Sequence, residues 1–213
     1  MGKVGRQSGR SLVLGVTGGI ASGKSTVTGL LRSLGAAVVS ADELAREAVR
    51  PGSPALRQLV ERFGAGVLQA DGTLDRQAMA ARVFADAAAR AALNGITHPA
   101  IAALAEERIG ALRRQGGALI VYEAPLLFEA GAERRVDAVL VVTLDERLQV
   151  ARLMERDGLD EAAARARIAA QMPQSEKVAR ADYVIDNSGT PAVTEEQVRR
   201  LYVRLSAPPD VPG

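Results

Sequence analysis

Cysteine is absent from the 213 residues, and histidine occurs once, as His98. No disulfide, thiolate metal site or cysteine nucleophile is possible, and a zinc site of the usual Cys/His kind is all but excluded. Tryptophan is missing too, and aromatic residues make up 3% of the chain. That composition argues against a base-stacking platform for single-stranded nucleic acid. Apolar runs are short: Leu12–Val16 is followed at once by Thr17 and glycines. No stretch approaches the roughly 18 apolar residues that span a bilayer or the pattern of a signal peptide, so a cytoplasmic protein without membrane contact is expected. A large excess of one charge is also lacking. The formal net charge is +2, which weakens the case for a general nucleic-acid binder. Among the basic residues lysine is scarce. Only Lys3, Lys24 and Lys177 stand against 24 arginines, and a compact ammonium does not substitute for a planar guanidinium.

What remains is an ordinary globular composition, 47% hydrophobic and 24% charged, in a chain long enough for one domain with an inserted subdomain. Five short apolar runs read as strands: Leu12–Val16, Ala36–Ser40, Ala118–Tyr122, Ala138–Thr143 and Tyr183–Ile185. Their residues do not alternate in polarity, as suits strands buried on both faces of a parallel sheet. Helical stretches Lys24–Leu34, Glu146–Arg156, Glu161–Ala170 and Glu195–Leu205 fill the gaps, giving an α/β, doubly wound arrangement. Between the second and third strands lies a long interval of helical composition, about 42–117. It reads as Asp42–Val49, Pro54–Phe63, Arg76–Ala92 and His98–Arg114, separated by Gly- and Pro-bearing joints. A simple crossover needs one helix, so this interval is expected to be an inserted helical subdomain between core segments 12–41 and 118–206. Residues 1–11 and 207–213 read as loose tails.

The segment Gly18-Gly-Ile-Ala-Ser-Gly-Lys-Ser25 matches G-x-x-x-x-G-K-[ST] and sits between a strand and a helix, the context this phosphate-binding pattern requires. Gly18, Gly19 and Gly23 let the backbone curl so that successive N–H groups point inward, and the following helix adds its positive end. Lys24 can then reach the β- and γ-phosphates of a nucleoside triphosphate, and Ser25 can offer its hydroxyl to Mg²⁺. No base-reading N-K-x-D motif accompanies the loop. A small core with a helical insertion points to a small-molecule kinase.

Asp42 follows the second strand at its carboxyl end, the rim where ligands bind in open parallel sheets. It suits a proton acceptor, a partner for a metal's waters, or the N-cap of the next helix. Glu123 holds the same position after the third strand, as a water-mediated metal contact or a rim carboxylate. His98 suits either substrate contact or structural hydrogen bonding. Arg152 and Arg156 share one helical face and suit either a solvated surface or a phosphate-clamping lid. Lys177 reads as a surface charge, and Glu129 as structural.

In order, LVLGVTGGIASGKSTV, SADELAREAV, DGTLDRQAMAARVF, LNGITHPAI, EAPLLFEAG, ERDGLDEAAARARIAAQM and ADYVIDNSG resemble the dephospho-CoA kinases over nearly all of Leu12–Leu205. The resemblance implies a five-stranded parallel sheet of order 2-3-1-4-5, a helical acceptor-binding insertion and a lid at about 147–178. It implies transfer of a phosphoryl group from ATP to the ribose 3′-hydroxyl of dephospho-CoA, with no obligate protein partner. On its residues, Ala21, Ser22, Gly23, Lys24, Ser25 and Thr26 hold the phosphates, with Ser25 on Mg²⁺. Asp42 is the base, Arg76 and His98 contact the acceptor, Arg152 and Arg156 belong to the lid, and Asn187 lies near the adenine. Many members carry another residue where Glu123 stands. Another small P-loop kinase, or a binder without transfer, are the rival readings.

If Lys24 neutralises charge as the phosphoryl bond loosens, Lys24→Ala should abolish most turnover while leaving the fold intact. A folded variant with near wild-type turnover would overturn the assignment of the loop.

Overall fold

The computed structural model describes residues 11–84, 86–117 and 119–207. They divide into two compact units, one drawn from residues 11–39 and 109–207, the other from Ser40–Arg108.

The first unit is built on strands β1 (Leu12–Gly18), β2 (Ala37–Ser40), β3 (Leu119–Glu123), β4 (Ala138–Thr143) and β5 (Tyr183–Asp186). They form one parallel sheet in the order β2-β3-β1-β4-β5. All seven residues of the central strand β1 are buried, which is why its sequence shows no alternation. Two aspartates set the entry of neighbouring strands. Val13 N–H donates to Asp137 Oδ2 at 2.8 Å, and Val139 N–H donates to Asp182 Oδ2 at 2.8 Å, so strand-end donors that lack a ladder partner are satisfied by side chains.

Helices α1 (Lys24–Ser33) and α9 (Pro191–Ser206) pack Val27, Leu31, Val198, Leu201 and Leu205 into one cluster with the sheet residues Leu14, Val16, Val121, Leu140 and Val142. The start of α9 lies four residues before the expected Glu195, with Pro191 in the first turn, where its missing N–H costs nothing. Helices α6 (Glu146–Asp157) and α7 (Glu161–Ala169) form a second cluster through Val150, Leu153 and Ala164, against which Ile20 and Ala21 pack. A short helix α8 (Gln174–Ala179), not anticipated from the sequence, precedes β5.

The second unit holds α2 (Ala41–Ala48), α3 (Pro54–Phe63), α4 (Arg76–Phe84) and most of α5 (Ala87–Arg114). Its core is Val49, Leu56, Leu59, Val67 and Met79, with Leu93 and Ile96 of α5 against them. The expected break near Leu93–Thr97 is not there. Asp86 begins α5 instead, its Oδ1 accepting from Ala88 and Ala89 N–H at 2.8 and 2.9 Å, and the helix continues through Pro99. Packing of Leu93 and Ile96 against the core of this unit carries the helix through Asn94 and Gly95, whose intrinsic helix propensity is low.

Residues 1–10 and 208–213, read as tails, lie outside the described residues. Ser11, counted with the first tail, is buried at the head of β1, and Ala207 is the C-cap of α9. Among the described residues no helix is long and apolar enough to cross a membrane.

Lys177 overturns the surface-charge expectation. Its side chain is fully buried, and Nζ donates to Glu129 Oε1 at 2.8 Å and to the Pro125 carbonyl at 3.4 Å. The partner is 48 residues away in sequence, so local pattern could not show it. Glu129 keeps contact with water while Lys177 does not, and the two substitutions should therefore differ. Glu129→Ala strands a buried ammonium and should cost about 3–5 kcal/mol. Lys177→Met leaves a partly hydrated carboxylate and should cost less. Denaturant unfolding that ranked them in the opposite order would contradict this assignment of burial.

Candidate nucleotide site

The turn after β1 is shaped by contacts that leave no room for side chains. A Cβ on Gly18 would overlap the Val142 carbonyl, and one on Gly23, which has φ 89°, would overlap Asn187 Nδ2. Ala21 adopts φ 57°, the left-handed region, which costs a residue with a Cβ about 1–2 kcal/mol.

Three side-chain amides hold this conformation. Ile20 N–H donates to Gln171 Oε1 at 2.8 Å, while Gln149 Nε2 donates to the Ile20 carbonyl at 2.7 Å. Asn187 Nδ2 donates to the Ser22 carbonyl at 2.9 Å, and Asn187 Oδ1 accepts from Thr194 Oγ1 at 2.9 Å. Gln149 and Asn187 are buried, so each of these bonds is shielded from competing water. The loop's own carbonyls and one of its N–H groups are thus engaged from outside. The Ala21 and Gly23 N–H groups donate to no described residue. Those donors, with the first turn of α1, make a cradle for anionic oxygens.

Lys24 Nζ donates to the Gly18 and Gly19 carbonyls at 3.0 and 2.8 Å. The ammonium is therefore held at the loop itself. Ser25 and Thr26 are exposed at the start of α1, whereas Ser22 is buried, with its N–H donated to the Gly19 carbonyl at 3.2 Å and its own carbonyl taken by Asn187. Thr28 Oγ1 donates to Glu123 Oε2 at 3.3 Å, which sets the β3 carboxylate beside the same helix. Among the described residues no cluster of three acid or histidine side chains could hold a metal by itself. An ion at Ser25 would depend on phosphate oxygens for most of its ligands, as Mg²⁺ commonly does. The donor set therefore fits a nucleoside triphosphate carrying its own cation.

Arg152 and Arg156 behave differently despite their common face. Arg152 Nη1 stands 3.6 Å from the point a Gly23 Cβ would occupy, at the loop. Arg156 pairs with Asp157, Nε to Oδ1 at 2.8 Å, and Arg167 holds the other oxygen at 2.7 Å. The hydrogen bond from Arg156 keeps the Asp157 carboxyl below its ordinary range. Asn187, expected near the adenine, has both ends of its amide committed to the loop and to Thr194.

In the second unit, Asp42 is the second residue of α2 and exposed. The cap expected of it belongs to Ser40, whose hydroxyl accepts from Glu43 N–H at 3.4 Å. Arg76 opens α4 behind Asp75, whose Oδ1 accepts from Gln77 and Ala78 N–H. His98 is exposed in the middle of α5.

The family model described as Dephospho-CoA kinase matches residues 12–192. The chain belongs to the dephospho-CoA kinase family. It is 57% identical over 202 residues to a dephospho-CoA kinase of Syntrophotalea carbinolica, covering 95% of this chain and 93% of the relative. Among solved structures, TT1252 from Thermus thermophilus superposes with a TM-score of 0.80 at 37% identity, covering 92% of this chain and 97% of that one. A dephospho-CoA kinase from Campylobacter jejuni gives 0.71 at 31% identity, with 91% and 96% covered.

For this dephospho-CoA kinase family member, sequence reasoning missed Gln149 and Gln171. A signal for the first was present, since Gln149 lies on the buried stripe of α6 with Val150 and Leu153. A buried amide without an adjacent partner in sequence must find one elsewhere. Gln149→Leu leaves the Ile20 carbonyl unsatisfied and releases the strained Ala21. It should raise KM for ATP about 5–30-fold while KM for the acceptor changes little, the loss expected for one buried hydrogen-bond partner. Steady-state kinetics showing both constants raised equally would make Gln149 a general structural residue.

Proposed function

We infer that the chain acts as its family does, moving the γ-phosphoryl group of ATP to the ribose 3′-hydroxyl of dephospho-CoA, with Asp42 as general base. In that step the hydroxyl oxygen forms a bond to the γ-phosphorus, the bond to the β–γ bridging oxygen breaks, ADP leaves, and the hydroxyl proton passes to the Asp42 carboxylate. Lys24 and the N–H groups of Ala21 and Gly23 bear on the phosphate oxygens as charge shifts toward ADP. Mg²⁺, when bound, would neutralise phosphate charge, and Ser25 is the residue that would hold it through its hydroxyl. Arg152 lies where it can add a second positive charge at the loop.

The observation that carries the catalytic reading is the cap of α2. Ser40 does that work, and the Asp42 carboxylate has no hydrogen bond or ion pair with any described residue. A carboxylate at the rim of a parallel sheet without a structural partner is available for chemistry.

Asp42→Asn tests it with almost no change of shape. Turnover should fall about 10²–10⁴-fold, the usual cost of losing a general base, while binding of dephospho-CoA weakens less because the amide carbonyl still accepts a hydrogen bond. If Asp42 instead orders water on the metal, the defect shifts across a Mg²⁺ series. Unchanged turnover would assign the proton acceptor elsewhere, and Glu123→Gln would be measured next.

A further inference from the structure

Helix α8 is only six residues long, yet the segment around it serves the loops that follow three different strands. Gln171, just before Pro173, accepts from Ile20 N–H in the loop after β1. Gln174 clamps the residue after β4, its Oε1 accepting from Leu144 N–H at 3.1 Å and its Nε2 donating to the Leu144 carbonyl at 3.2 Å. Lys177 reaches the turn after β3, where Nζ donates to the Pro125 carbonyl at 3.4 Å and to Glu129 Oε1 at 2.8 Å. All three loops leave the carboxyl ends of parallel strands, the edge where ligands bind in such sheets.

Local sequence explains how one short segment does this. Gln174 and Lys177 are three residues apart and share a face of α8, while Ser175 and Glu176 between them are exposed. The Pro173 carbonyl accepts from Glu176 and Lys177 N–H at 3.1 Å and so fixes the first turn. Burying an ammonium completely is costly, and an apolar side chain of similar volume avoids that cost. The presence of Lys177 therefore points to a task that needs its donors.

The Pro125 carbonyl indicates the task. It accepts twice, from Lys177 Nζ and from Thr17 Oγ1 at 3.1 Å. Thr17 is fully buried and directly precedes Gly18, whose carbonyl accepts from Lys24 Nζ. Ala124 N–H donates to the Val16 carbonyl at 3.0 Å, so the same turn is also bonded to the residue before Thr17. From Lys177 to the Lys24 ammonium the contacts run through Pro125, Thr17 and Gly18, all within the first unit.

We propose that Lys177 is a positioning residue for the nucleotide: acting through the Pro125 carbonyl and Thr17, it sets where the phosphate loop holds Lys24. Gln171 and Gln174 fix the segment that carries it. A displacement of about 1 Å in groups that meet the reacting phosphates is enough to be felt in binding and transfer. The proposal rests on the reading of the loop as an ATP site and does not depend on the acceptor.

The test is calorimetric titration of ATP, with Mg²⁺ present, into the wild type, Lys177→Met, Gln174→Met, Thr17→Val, Thr17→Val/Lys177→Met and Asp182→Ala, beside the KM for dephospho-CoA. Thermal melts set a temperature at which the variants compared are folded. Lys177→Met should raise the Kd for ATP about 5–30-fold, as for the loss of one buried partner, with the KM for dephospho-CoA within about twofold. Gln174→Met should raise the Kd about 3–10-fold. Thr17→Val and Lys177→Met interrupt one route, so the double variant should bind within about twofold of the weaker single variant. Asp182→Ala removes a bond at the amino-terminal edge of the sheet, to Val139 N–H, and should lower the melting temperature without changing the Kd. A folded Lys177→Met with the wild-type Kd overturns the proposal, as does an equal rise in the Kd for ATP and the KM for dephospho-CoA. Losses that multiply in the double variant overturn the route through Thr17. If Lys177→Met does not fold, Gln174→Met decides by the same two criteria. A wild type that binds ATP but fails to phosphorylate dephospho-CoA overturns the inferred activity alone, and the ATP titrations still judge Lys177.

Discussion

A loop that presents its N–H groups to a ligand cannot spend them on holding its own shape. Backbone donors left open for phosphate are lost to secondary structure, and the turn must be held by something else. Here one internal bond, from Ser22 N–H to the Gly19 carbonyl, is joined by side-chain amides that do the rest of the holding. Gln171 and Gln149 take the N–H and C=O of Ile20, and Asn187 takes the C=O of Ser22. Ala21, between the two held residues, keeps a left-handed conformation that an unsupported chain would relax. The rest of the first unit follows from this requirement. Gln149 must be buried to reach Ile20, so α6 must pack on the loop. Gln171 must come from the other end of α7, so the whole α6–α7 segment is fastened to the phosphate cradle at two points.

That coupling gives the α6–α7 segment a thermodynamic connection to the loop's grip on an anion. Ile20 and Ala21 pack into the apolar cluster of α6 and α7, and Arg152 on α6 reaches the edge of the loop at Gly23. A change in how tightly the loop grips phosphate is a change in how these helices pack, and the reverse holds by linkage. Arg156 stands apart from this. Its ion pair with Asp157, shared with Arg167, ties the C-terminal end of α6 to α7.

The sheet was largely legible in the sequence because parallel strands buried on both faces leave uninterrupted apolar runs, and because the phosphate loop has residue types fixed by its chemistry. Strand order came from the resemblance, since periodicity says nothing about neighbours. What was not legible has a common cause. The Lys177–Glu129 pair, the Gln149 and Gln171 bonds to Ile20, and the grouping of Arg46, Arg50 and Arg76 all join residues far apart in sequence or defined only by a cavity. The α4–α5 boundary failed for a different reason. Asn94, Gly95 and Pro99 lower helix propensity, yet Leu93 and Ile96 are packed in the core of the second unit, and that burial keeps α5 continuous. Asp86, a good cap in an alanine-rich stretch, was the signal that should have outweighed them.

Arginine abundance then acquires a physical reading. Both substrates of a dephospho-CoA kinase are polyanions, and a chain with 24 arginines risks attracting any polyanion. The net charge of only +2 limits that, and the pairing pattern limits it further. Arg165 is held by Glu146 and Glu161, Arg180 by Glu133, Arg199 by Glu195 and Arg200 by Glu196. Exposed pairs of this kind add little stability. They do reduce the field that each guanidinium projects. Arg152 at the phosphate loop and Arg46, Arg50 and Arg76 around the cavity have no such acid partner. Ion pairing therefore trims the field over part of the surface only, since Arg32, Arg114 and Arg147 also make no ion pair among the described residues. Selectivity among polyanions then depends on where guanidiniums stand relative to a ligand, and not on the size of the total charge.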